Sequence, residues 1–83
     1  MVKINKLTYI AASEISEVFV DEELYEDAVS GLMKDMRIIL KQKFYVKVKK
    51  KNHEDAILAG TFDKEIDAIA EMVRIVRSIN ENT

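Results

Sequence analysis

The C-terminal segment carries two apolar stripes, and this constrains the fold more than any other feature of the chain. Asp63 is a good N-cap, and residues 64–80 read as helix. Ile66, Ile69, Val73 and Val76 recur at i, i+3, i+4 spacing and form one stripe. Ala68, Met72, Ile75 and Ile79 form a second beside it. At 100° per residue, the two stripes with Ala70 span an arc of about 220°. A helix lying on one small sheet needs less. The first stripe is expected to cover the sheet. Met72, Ile75 and Ile79 then point sideways. They are expected to form an interface between copies of the chain, unless the N-terminal strands or a middle helix cover them.

The rest of the chain reads as alternating strands and one further helix. In residues 22–41, Leu24, Tyr25, Ala28, Val29, Leu32, Met33, Met36, Ile39 and Leu40 fall on one half of a helical wheel. Acids open this segment and bases close it, as a helix dipole favours. It is therefore expected to be a helix with Leu32 and Met36 buried. Gly31 falls at the wheel's edge and marks a close contact or a break. Residues 44–49 alternate with period two, so Phe44, Val46 and Val48 should face the core and Tyr45, Lys47 and Lys49 solvent. Residues 50–54 have turn chemistry, and residues 56–61 return as a strand. Residues 6–11 look like a strand. Residues 15–20 read as strand or as a helix capped by Ser13, with Val18-Phe19-Val20 favouring strand. The expected order is ββαββα, or βαββα. The fold class is α+β, a small two-layer domain with two helices on one face of an antiparallel sheet.

Composition supports one small folded domain. The chain has 83 residues, 48% hydrophobic and 34% charged, with two Gly and no Pro. Without Cys there is neither a disulfide framework nor a thiolate metal site. A reducing cytoplasm is the expected compartment, that of a host cell if the protein is viral. No stretch approaches the roughly 20 apolar residues of a membrane span, so no membrane partner is expected.

The charges are sorted into blocks. Between Thr8 and Met33 there are acids and no bases: Glu14, Glu17, Asp21, Glu22, Glu23, Glu26 and Asp27. Between Met36 and His53 there are bases and no acids: Arg37, Lys41, Lys43, Lys47, Lys49, Lys50 and Lys51. Such sorting creates local fields that act on partners. Arg37, Lys41, Tyr45, Lys47, Lys49, Lys50 and Lys51 form a candidate patch for an acidic protein surface or a small anionic ligand. Binding of nucleic acid by the basic hairpin at residues 43–51 is the alternative, since lysines interleaved with an aromatic ring can hold a single strand. The plainer reading is a solvated strand edge guarded by lysines.

No catalytic constellation emerges. His53 is the only histidine and sits in a turn, with no nucleophile placed beside it and no companion ligands for a metal. The paired carboxylates lie in a solvated acidic run that gives no reason for a raised pKa. Asp63, Glu65 and Asp67 would repel phosphate from the N-terminus of the last helix, and there is no P-loop. The expectation is a protein that is not an enzyme and uses no cofactor or metal.

The layout of residues 43–51, residues 56–61 and the helix from Asp63 resembles that of small accessory proteins encoded by phages and prophages. Those are compact, free of Cys, closed by a C-terminal helix and segregated in charge. The likeness covers the second half of the chain at most, and it carries over no functional residue. It implies a binding role, such as modulation of a host process or of host defence. The expected function is a small non-enzymatic binding protein acting as a homo-oligomer, which occupies a partner surface or sequesters a small ligand.

Overall fold

A computed structural model describes residues 1–30 and 36–82, with side chains for residues 1–25 and 41–82. The order is β1 (Val2–Asn5), β2 (Thr8–Ile10), a 3-10 turn (Ala12–Glu14), β3 (Ile15–Ser30), β4 (Met36–Lys50), β5 (Ala56–Phe62) and α1 (Glu65–Glu81). β1 and β2 form a two-stranded antiparallel sheet, and β3-β4-β5 form a three-stranded one. The class is α+β, as expected, but with one helix among the described residues. Neither ββαββα nor βαββα is the order found.

The main correction concerns residues 22–41. Their described part is strand: the end of β3 and the start of β4, paired antiparallel from Ile15↔Lys50 to Ser30↔Met36. Leu32 and Gly31 lie outside the described residues, as does the side chain of Met36, so the burial expected of that pair has no counterpart here. Charge accounts for the outcome. In a helix, Glu22, Glu23, Glu26 and Asp27 would be like-charge neighbours at i+3 and i+4. In the ribbon, Glu23 faces Lys43 and Glu17 faces Lys49. The acidic and basic blocks are the two strands of one hairpin.

The alternation in residues 44–49 is realised as read. Phe44, Val46 and Val48 are buried, and they join Val2, Ile4, Ile10, Ala68 and Ile75 in the core. β1 was not legible as a strand beforehand, yet its Val2 and Ile4 are among the most buried side chains. Asn5 ties the two sheets together. Its side-chain amide donates to the Leu58 carbonyl at 3.0 Å, and its carbonyl oxygen accepts from the Leu7 N–H at 2.9 Å. The β4–β5 turn places Asn52 at φ 64°, the left-handed region that Asn tolerates better than most residues. In β5 the ring of Phe62 folds back over Gly60, where a Cβ would come within 2.9 Å of it.

The helix begins one residue later than Asp63 would dictate. Lys64 holds the N-cap position in extended backbone, with no side-chain cap hydrogen bond. Glu65 and Asp67 in the first turn still favour the positive end of the helix dipole. At the other end Asn82 donates to the Ser78 carbonyl at 2.7 Å. No helix among the described residues is long and apolar enough to cross a membrane.

Candidate interaction surfaces

Two surfaces follow from this fold: the charged face of the β3–β4 ribbon and the outward stripe of α1. The ribbon is built by alternation. With Phe44, Val46 and Val48 turned to the core, Lys43, Tyr45, Lys47 and Lys49 face the other way. On β3 the same face carries Glu17, Phe19, Asp21, Glu23 and Tyr25, by the register Phe19↔Lys47, Asp21↔Tyr45 and Glu23↔Lys43.

The contacts on this face are mutual. Lys47 Nζ meets Asp21 Oδ2 at 2.8 Å. The Tyr45 hydroxyl donates to Glu23 Oε2 at 2.8 Å. The ammonium of Lys43 lies 5.7 Å from the centre of the Tyr25 ring, and that of Lys47 lies 5.8 Å from the Tyr45 ring. On the opposite face Gln42 donates to Glu22 at 2.8 Å. Lys47 holds the Asp21 carboxyl below its ordinary pKa, first through the hydrogen bond and then through its charge. Glu23 raises the pKa of the Tyr45 phenol by accepting its proton in a hydrogen bond. Both groups are open to water, so these contacts set register and local geometry more than stability.

The expected basic patch is therefore distributed along one strand and matched from the next. Tyr45 and Lys47 engage acids of β3. Lys49 stands opposite Glu17, Lys50 opposite Ile15 and Lys41 opposite Tyr25. Lys51 donates its backbone N–H to the Glu14 carbonyl at 2.8 Å. Arg37 pairs in register with Val29, and its side chain lies outside the description. Leu24, expected on the apolar half of a helix, is exposed on the three-stranded sheet, as is Leu58. The pattern Glu17/Lys49 and Glu23/Lys43, mirrored about the 31–35 connection, is the sequence signal that could have revealed the pairing.

The second surface reverses an expectation. Ile75 is 0% exposed, and Met72 and Ile79 pack against the core. They are the helix's inner face and are not available as the outer one. The outward stripe consists of Ile66 (73% exposed), Ile69 (40%), Val73 (39%) and Val76 (40%). Ala68 explains the choice. It is the smallest residue of either stripe, and with no bulk beyond Cβ it lets the helix backbone approach the sheet closely.

A shallow groove between β1, β5 and α1 is lined by Lys3, Lys6, Phe62, Glu71 and Arg74. Its arginine is already engaged: Arg74 binds Glu71 and donates to the Lys3 carbonyl at 3.4 Å. Glu71 raises the pKa of the guanidinium. Among the described residues no cluster of His, Cys, Asp and Glu has the arrangement of a metal site. His53 is exposed in the β4–β5 turn beside Asn52. Comparison with known proteins finds no family model matching this chain, no curated protein matching its sequence and no solved structure matching its fold.

Proposed function

We propose that this is a small non-enzymatic binding protein that works as a homo-oligomer and occupies the surface of a protein partner with the β3–β4 ribbon. One observation carries the reading. β5 pairs with β4 only over residues 44–49, whereas β3 and β4 continue together from Glu23↔Lys43 to Ser30↔Met36. At about 3.3 Å per residue that is roughly 25 Å of two-stranded ribbon with no third strand among the described residues. An isolated two-stranded ribbon is marginal in water, and its open edges can accept another strand. Leu24, 61% exposed, stands at the root of this extension. The likeness to phage accessory proteins fits such a role, as a modulator that covers part of a host protein.

The nucleic-acid reading finds less support. A strand that follows a phosphate backbone needs uncompensated charge. Lys47 here lies on Asp21, and Lys49 stands opposite Glu17.

The test is a photo-crosslinking amino acid placed at Leu24 in the full chain, with Asn82 as control position, in lysate of the native cells. The expected result is a discrete protein adduct at Leu24 and none at Asn82. Equal labelling at both positions, or no adduct, contradicts the reading. Adducts to nucleic acid that vanish with added salt would favour the alternative.

A further inference from the structure

We infer that two copies of this chain pair through α1, antiparallel, along Ile66, Ile69, Val73 and Val76. The inference rests on the homo-oligomeric half of the function proposed above and is independent of the ribbon. The four residues are spaced +3, +4, +3, which is the a/d alternation of a coiled-coil seam, and all four are β-branched. This seam lies about 100° round the helix from the buried stripe of Ala68, Met72, Ile75 and Ile79. A second helix can therefore lie alongside α1 without disturbing its seat on the sheet.

The stripe is complementary to itself. In an antiparallel pair, one register gives all four residues a partner: Ile66 against Val76 and Ile69 against Val73, each pair occurring twice about a two-fold axis. The charges choose the orientation. Ala70 and Arg77 line one flank of the seam, with Asp67 and Arg74 just beyond them. In the antiparallel register, Asp67 of one helix is level with Arg74 and Arg77 of the other, on the same flank. A parallel pair sets this flank against the opposite flank of the other helix, where Met72 and Ile79 turn to the sheet, so Asp67 meets no arginine there. Arg74 already shares Glu71, so Arg77 is the main new partner of Asp67. The helix is short, about 25 Å, so the pair is expected to be a modest dimer that forms at micromolar rather than nanomolar concentration.

The natural chain has no Cys, so single cysteines report the geometry cleanly. Ile66→Cys and Val76→Cys proteins, mixed and oxidised, should crosslink to each other, while each alone should not. Two copies of residue 66 are about 15 Å apart along the axis of an antiparallel pair, beyond disulfide reach. Ala70→Cys, close to the two-fold axis, should crosslink to itself. Efficient self-crosslinking of Ile66→Cys would indicate parallel helices and overturn the inference. Sedimentation at about 100 μM should show a wild-type dimer, and Ile69→Asp with Val73→Asp should weaken it at least about tenfold. If that pair fails to fold, Ile69→Ser with Val73→Ser is expected to weaken the dimer in the same direction. A dimer untouched by folded seam variants would refute the seam and leave the oligomeric reading standing. A wild-type monomer would remove both.

Discussion

Two segments of this chain carry apolar residues at helical spacing. Glu65–Glu81 is the helix α1, whereas the described part of residues 22–41 supplies the ends of β3 and β4. The difference lies in what else each segment contains. In α1 the inner stripe meets Val46, Val48 and Ile4 in one core, and the first-turn acids sit where the helix dipole favours them. In residues 22–27 the acids repel one another at helical spacing. Across the hairpin Glu22 meets Gln42, and Glu23 meets Lys43 and Tyr45. Apolar periodicity is a local signal, and here a nonlocal one outweighed it.

This comparison is most sharply drawn where α1 meets the core. Ile75→Ala should cost roughly 2–5 kcal/mol, because the side chain is wholly buried. Ile66→Ala, on the exposed stripe, should leave the stability of the dilute monomer almost unchanged. Urea denaturation of both variants at low protein concentration checks the contrast. Equal losses would mean that both stripes belong to one core.

A smaller effect tests the ribbon. Lys43 over Tyr25 should show a coupling of about 0.5–1 kcal/mol in a double-mutant cycle of Lys43→Met and Tyr25→Leu. A helix over residues 22–41 holds the Tyr25 ring well away from Lys43, so strict additivity would count against the ribbon.

Some features were legible in the residues alone. Alternation marks Phe44, Val46 and Val48 as core, and i, i+3, i+4 spacing marks residues 64–80 as helix to within a residue or so at each end. The surplus of apolar surface on that helix was legible too, but not which stripe would be left outside. That depended on Ala68 permitting close approach to a sheet whose position no local pattern records. β1 is short, and its partner β2 is shorter still, so neither produced a clear run. The sorted charges are plain in the sequence, where they imply a field acting on partners. Their closer meaning is a pairing code between β3 and β4, found only when acids and bases are set in mirror order about the connection.

The central claim is that residues 23–30 and 36–43 form one antiparallel ribbon. Backbone NMR assignment of the full chain tests it most directly. The account predicts Cα shifts of extended backbone through both stretches, with cross-strand NOEs between Tyr25 and Lys41 and between Glu23 and Lys43. Helical Cα shifts across residues 22–41, with sequential amide NOEs and no cross-strand contacts, would contradict it.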